Sequence, residues 1–251
     1  MIKKELHTHT TFCDGKNTAE EMVKAAIEKG FETIGFSGHS YTFFDERYCM
    51  SKAGTRQYQA EIARLKEQYK EKIQILCGTE QDYYSDMPTD GYDYVIGSVH
   101  YIYVNGSYIP VDETPEILID TAKNHFGGDM LALCGCYFET VADVVEKTGA
   151  DIIGHFDLIT KFNENGALFD TANERYIRAW QHSADKLLKT GVPFEINTGA
   201  IARGYRTSPY PAPDIIAYLK ARGATFILSG DAHSTEGIGY RFEEYAAYLP
   251  E

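Results

Sequence analysis

Positive charge is scarce in this sequence. Lysine and arginine total 24 against 37 aspartates and glutamates, a net charge of −13. Nucleic-acid-binding surfaces are normally basic, so that class of partner is not expected. Long apolar runs are missing too. No stretch reaches 18 consecutive apolar residues, so no membrane span is expected. The five cysteines (Cys13, Cys49, Cys77, Cys134 and Cys136) are odd in number, and their spacing fits no disulfide framework. Free thiols in a reducing cytoplasm are the expectation. Cys134-Gly135-Cys136 falls in a helical stretch and lacks a second pair to complete a metal site. Glycine, proline and serine are scattered, so no linker stands out, and no repeat or low-complexity segment is present. The opening Met1–Glu5 runs straight into candidate ligands, so no cleavable leader is expected.

Hydrophobic residues make up 43% of the 251 residues, enough for a sizeable core and one domain spanning 1–251. Strand candidates are Leu6–His9, Thr33–Ser37, Ile73–Glu80, Tyr94–His100, Asp151–His155, Phe194–Asn197 and Phe226–Ser229. Amphipathic stretches lie between them: Thr55–Tyr69, Met130–Lys147, Asn173–Lys189 and Pro213–Ala221 carry apolar residues at helical spacing. Thr18-Ala19-Glu20-Glu21 reads as a capping box with Gly30 as the stop. Thr114-Pro115 reads as a cap followed by proline at the first helical position. Repeated strand–helix alternation implies a parallel sheet, and seven such strands suggest a closed or nearly closed barrel.

Six of the eight histidines sit at the ends of apolar runs, beside carboxylates. Residues i and i+2 of a strand share a face, so His7 with His9, and Asp231 with His233, each offer two metal-binding groups on one side. His39, Glu80, His100 and His155 each close a run of their own, and Asp14 follows the first pair. Barrel active sites lie at the C-terminal ends of strands, where these residues fall. Imidazole and carboxylate together suit zinc, manganese or iron.

With these residues in view, the chain resembles the polymerase and histidinol phosphatase (PHP) superfamily, and within it the PHP-type histidinol-phosphatases. The resemblance is carried by His7-Thr8-His9-Thr10-Thr11-Phe12-Cys13-Asp14, Gly35-Phe36-Ser37-Gly38-His39-Ser40, Gly78-Thr79-Glu80-Gln81-Asp82-Tyr83-Tyr84, Asp93-Tyr94-Val95-Ile96-Gly97-Ser98-Val99-His100 and Gly154-His155-Phe156-Asp157-Leu158. It implies a distorted (β/α)7 barrel. It also implies two to three divalent metal ions: one held by His7, His9, Glu80 and Asp231, a second by Glu80, His100 and His155, a third by Asp14, His39 and His233. Many members carry histidine where this chain has Asp14. The implied reaction is hydrolysis of L-histidinol phosphate to L-histidinol and phosphate, in histidine biosynthesis, by metal-activated hydroxide attack on phosphorus. Metal coordination brings the pKa of bound water from about 15.7 towards 7, a strong demand because monoester hydrolysis is among the slowest uncatalysed reactions. Glu80, Asp231 and His233 are the expected catalytic residues, with Asp231 or His233 as the candidate to deliver a proton through water to the leaving alkoxide.

Beyond the metals, Lys161 and Arg203 lie in loops that should open on the same face, and either is a candidate phosphate contact, with Arg206 as an alternative. The segment Tyr41–Arg56, with Tyr41, Phe43, Phe44, Arg47 and Tyr48, either covers the site against the substrate imidazole or packs as a plain loop. Asp82 is a candidate orienter of a ligand histidine. Glu195 and Asn197 read as barrel lining with the same role open to them. His125 and His182 fall in helical patterns and read as structural or exposed, and Trp180 as packing. Competing readings are a PHP-family phosphoesterase for another small phosphate ester or nucleotide, an amidohydrolase barrel, and a non-catalytic metal-binding domain. Glu80 at the third strand end and the final Asp-x-His disfavour the amidohydrolase.

Overall fold

The computed structural model describes residues 3–249, so the outermost positions of the 1–251 span lie outside the described residues. Seven parallel strands form one sheet in the order β1 (Lys4–Glu5), β2 (Thr33–Phe36), β3 (Gln74–Asp82), β4 (Tyr94–Ser98), β7 (Ile152–Ile153), β8 (Phe194–Asn197) and β9 (Phe226–Ser229). The sheet curls until its edges meet: His9 N donates to Ala232 O and Ala232 N to His7 O, each at 2.9 Å. The result is the nearly closed seven-stranded barrel that strand–helix alternation implies. Helices α1 (Ala19–Glu28), α2 (Lys52–Tyr69), α3 (Pro115–His125), α4 (Met130–Val141), α5 (Val144–Thr148), α6 (Glu174–Leu188), α7 (Gly199–Ala202) and α8 (Pro213–Ala221) fill the connections. A hairpin, β5 (Tyr101–Val104) with β6 (Ser107–Pro110), follows β4.

The local signals act where their chemistry requires. Thr18 and Glu21 form a reciprocal capping box on α1, Gly30 follows the helix at φ +81°, and Thr114 caps α3 with Pro115 in its first turn. One apolar core, from Leu133 and Phe138 to Trp180, Phe194 and Leu219, packs α3, α4, α6 and α8 on the later strands. A second, around Met22, Ile34, Tyr58 and Ile62, packs α1 and α2 on β2 and β3. Tyr94 crosses between strands: its hydroxyl donates to Leu6 O and, at 3.0 Å, to Phe36 O. A Cβ on Gly78 would lie 2.4 Å from the Tyr94 ring, and one on Gly35 2.4 Å from its hydroxyl. Only glycine admits that tyrosine at both places.

Three expectations need correction. The first strand is Lys4–Glu5, not Leu6–His9. Past Glu5 regular pairing gives way to single bonds: Thr8 Oγ1 donates to Gly35 O at 2.8 Å, Ser37 Oγ accepts from Thr8 N at 3.1 Å, and Ser37 N donates to Thr8 O at 3.0 Å. The helix expected over Met130–Lys147 breaks at Ala142–Asp143, which lets Val141 and Val144 both reach the core. The β5–β6 hairpin lies in a stretch with no strand expectation, although Asn105-Gly106, at φ +50° and +86°, is the two-residue turn that joins its strands and a local hairpin signal.

Candidate metal centre

Glu80, near the end of β3 and buried, is the hub. Its Oε1 lies 2.8 Å from His155 Nε2 and 3.3 Å from His100 Nε2. Its Oε2 faces His39 Nδ1 at 2.9 Å, His7 Nε2 at 3.3 Å and His9 Nε2 at 3.5 Å. A single carboxylate thus turns one oxygen to each of two imidazole sets. Strand register delivers these groups: His39 and Glu80 pair across an isolated parallel bridge, and Gly154 N, just before His155, bonds to Gly97 O in the neighbouring strand. His7 and His9 flank Thr8, whose side chain turns the other way to Gly35, so the alternation expected of a strand survives although the ladder does not.

The far side of the cage comes from the last strand. Asp231 Oδ1 stands 3.2 Å from His9 Nε2, 3.3 Å from His233 Nδ1 and 3.8 Å from His7 Nε2. Asp14 Oδ2 lies 3.2 Å from His233 Nε2, and its Oδ1 lies 3.6 Å from His39 Nε2. Donor atoms converge within 4.8 Å in three overlapping groups: His9, Asp14, His39 and His233; His7, His9 and Glu80; and His39, Glu80 and His100. All nine residues singled out in the sequence therefore meet in one place. The partition differs from that implied by the resemblance, since His9 also joins the Asp14 group and His39 also joins Glu80.

Electrostatics keep the cage's carboxylates ionised and divide its imidazoles, since, against burial, facing carboxylates raise His7, His39 and His100, whereas His9 is lowered. Burial opposes charge on Glu80, but His39, His7 and His100 outweigh it and hold the carboxyl well below its ordinary range. Asp231 is lowered in the same way against burial, by Arg203, His7 and His233. Burial and the neighbouring His233 and His39 push His9 down to about 3, leaving a neutral ring with a free lone pair. His7 Nε2, His9 Nε2 and Glu80 Oε2 are buried without a hydrogen-bond partner. Buried polar atoms are normally paired, so a converging set of orphaned donors to metal fits divalent cations.

A second ring of groups holds the first. His7 Nδ1 meets Glu195 Oε2 at 2.8 Å. The same glutamate accepts from the amide of His155, from Ser229 Oγ at 2.6 Å and from Asn197 Nδ2 at 2.9 Å. Asp82 Oδ2 accepts from the His100 amide at 3.2 Å and lies 3.3 Å from His100 Nδ1. Both residues act on ligand orientation. Asn197 reaches the cage only through Glu195.

The cage opens into a cavity of about 380 Å³. Arg203 lines it and donates to Asp231 Oδ2 at 3.0 Å. Lys161 also lines it, with Nζ donating to Asp112 O at 2.6 Å and Asp112 Oδ2 at 3.2 Å. Arg206 sits apart in a buried network, donating to Thr160 and Ser208 and stacking on Tyr210. Of the segment 41–56, Asp45, Arg47 and Tyr48 line the cavity, whereas Phe43 and Phe44 pack on Tyr108 of the hairpin. Arg47 forks between Asp45 and Glu113, tying that segment to the chain after β6. The hairpin side adds Tyr101, Pro110, Asp112 and Glu113 to the wall, residues that carried no signal in the sequence beyond their proximity to His100. His125 and His182 are exposed, Trp180 is buried in the core, and Cys134 and Cys136 are free thiols on α4. No helix among the described residues is long and apolar enough to cross a membrane.

Residues 5–199 match the PHP domain. The chain is 29% identical to a "probable histidinol-phosphatase" of Schizosaccharomyces pombe over 97% of its own length and 84% of the relative. It is 25% identical to the histidinol-phosphatase of Bacillus subtilis, over 98% of each chain. The solved structure of histidinol phosphate phosphatase from Lactococcus lactis, in complex with zinc, L-histidinol and phosphate, matches it with a TM-score of 0.71 at 22% identity, over 93% of this chain and 87% of the other. At that identity the structural likeness speaks to the fold.

Proposed function

The chain belongs to the PHP domain family, and on that premise we propose that it is a metal-dependent histidinol-phosphatase, hydrolysing L-histidinol phosphate to L-histidinol and phosphate in histidine biosynthesis. The observation that carries this reading is Glu80 turning its two oxygens to separate imidazole sets at the floor of a cavity edged by Arg203. The names of the full-length relatives supply the substrate. We take residues 1–251 to act as one hydrolase domain in the cytoplasm, where its free thiols stay reduced.

Two to three divalent ions, zinc, manganese or iron, would be held by His7, His9, Asp14, His39, Glu80, His100, His155, Asp231 and His233. Bound there, they supply Lewis acidity that makes water a nucleophile near neutral pH and offsets phosphate charge. The protein's own groups do the rest. The Arg203 guanidinium, beside Asp231, binds phosphate oxygens that the ions leave uncovered. Lys161 adds positive charge from the opposite wall, steadied by Asp112. Tyr48 and Tyr101, near-parallel with centroids 6.2 Å apart, offer flat apolar surface to the imidazole. Asp45, Asp112 and Glu113 outnumber their partners Arg47 and Lys161 there and leave that wall a net negative charge for an ammonium group. A water held by Asp231 or His233 is assigned the delivery of a proton to the leaving alkoxide. A small ester fits a cavity of about 380 Å³ and a chain of net charge −13; long nucleic acid does not.

Phosphate release from histidinol phosphate tests the proposal, with metal-stripped protein and again after zinc, manganese or iron is added, beside a nucleotide phosphodiester. Turnover that is absent when stripped and restored by metal supports it. Turnover of the phosphodiester alone overturns the substrate, and full turnover under strong chelation overturns the chemistry.

A further inference from the structure

Glu5 is a buried carboxylate that stands outside the cage. Its side chain is inaccessible to solvent, and its partners are backbone amides. Oε1 accepts from His7 N at 3.1 Å, both oxygens accept from Gly230 N at 3.0 Å, and Oε2 accepts from Gly239 N at 3.2 Å. Those amides belong to opposite sides of the seam where the barrel closes. β1 and β9 are the two edges of the sheet and share no strand ladder; among the described residues, backbone pairing across the seam lies at the rim, in the Thr8–Ala232 bridge and the bond from Lys16 N to His233 O at 2.8 Å. Glu5 spans the seam below that bridge. The fit at Gly230 is tight, because a Cβ there would lie 2.6 Å from Glu5 Oε2 and 2.7 Å from Gly237 O.

We propose that Glu5 is a positioning residue: a carboxylate clasp that fixes the His7–His9 pair against the Asp231–His233 pair, and so sets the affinity of the cage for divalent cations. One oxygen holds the amide of His7 and the amide just before Asp231 together. Asp231 leaves that grip at φ +43°, a conformation uncommon for a residue with a Cβ and held only where surroundings enforce it. Its Oδ1 then arrives 3.2 Å from His9 Nε2 and 3.8 Å from His7 Nε2. Without the clasp, the two ligand pairs would be held at the rim by the Thr8–Ala232 bridge and the Lys16–His233 bond, and their spacing would relax.

The inference rests on the proposed reading of the cage as a metal site, so the test uses zinc alone as its probe. Metal-stripped wild type and Glu5→Gln are titrated with zinc against a competing indicator. The amide keeps the size but opposes an N–H donor to at least one backbone N–H. Zinc affinity is expected to fall about 10- to 100-fold, the usual effect of losing a residue that orients ligands, with turnover recovering at excess zinc. A lower melting temperature with wild-type zinc affinity would reduce Glu5 to a fold residue and overturn the clasp. Should Glu5→Gln not fold, Glu5→Asp, shorter by one methylene, is read in the same way. Amide exchange in the wild type gives an independent reading, because coupling is reciprocal: zinc must slow exchange at Gly230 and Gly239, and unchanged rates there would also overturn the clasp. If wild type binds no zinc, the metal reading itself fails; equal affinity in wild type and variants removes the clasp alone.

Discussion

Nδ1 of His7 lies 2.8 Å from Oε2 of Glu195, with both side chains fully buried. That contact fixes the ring so that Nε2 points at Glu80 and Asp231. It makes one residue of β8 responsible for the orientation of a candidate ligand just past β1, and through the His155 amide for the start of another candidate ligand segment.

Glu195→Gln should therefore weaken metal binding about 10- to 100-fold while leaving the nine candidate ligands in place. Zinc titration of metal-stripped protein checks this. Unchanged affinity would show that the barrel alone orients His7.

Replacing the hub should be more severe. Glu80→Gln removes a charge facing both imidazole sets, and the loss of several kcal/mol of charge stabilisation lowers kcat by about a hundredfold or more. The metal-to-protein ratio should fall with it. Full metal content together with wild-type kcat would contradict the bridging role.

Arg203→Ala should raise KM or lower kcat for the phosphate ester, with kcat/KM reduced about 10- to 100-fold, as expected for one lost charge-assisted hydrogen bond of about 1.5–3 kcal/mol. Lys161→Ala should do less, because Asp112 already occupies its ammonium. Steady-state kinetics on both variants decides; unchanged kinetics in Arg203→Ala removes that residue from the site.

Burial pushes His100 down, yet Glu80 and Asp82 overcome it and raise the ring to about 10. In the metal-free protein this ring keeps a proton at pH 7. Its contribution to stability is full below about 6.5, the ordinary value, and is lost as pH rises through about 10. Metal requires the neutral ring, so zinc uptake at pH 7 should release protons and tighten as pH rises. Calorimetric titration in two buffers of different ionisation enthalpy measures the release; equal heats in both would contradict it.

Tyr94→Phe removes the hydroxyl that serves Leu6 O and Phe36 O. Leaving those carbonyls unpaired should cost about 1–3 kcal/mol, or a melting temperature lower by several degrees at this chain length. Thermal unfolding of the metal-free protein reads the change.

Legibility followed the range of the forces involved. Period-two alternation, caps and run lengths are local, and they placed the barrel strands after the first, the α1 and α3 caps and the candidate ligand residues that close each run. The sequence could show that His7, Glu80 and Asp231 end their runs. It could not show that Glu80 divides its oxygens between two imidazole sets, because that depends on barrel curvature. Glu195 read as lining, since nothing in Phe194–Asn197 reveals which ring its carboxylate will meet. Glu5 stood in plain sight within the opening run without a role, as its partners are amides 225 and 234 positions away. The hairpin is a different case: its Asn105-Gly106 turn is a local signal that went unread, while the packing of its aromatic residues on Phe44 is not local.

The seam where β1 meets β9 also makes the cage a joint product of distant segments. His7 and His9 come from one edge of the sheet, and Asp231 and His233 from the other. A chain cut before β9 would keep the imidazoles of His7 and His9 without the Asp231 carboxylate that faces them.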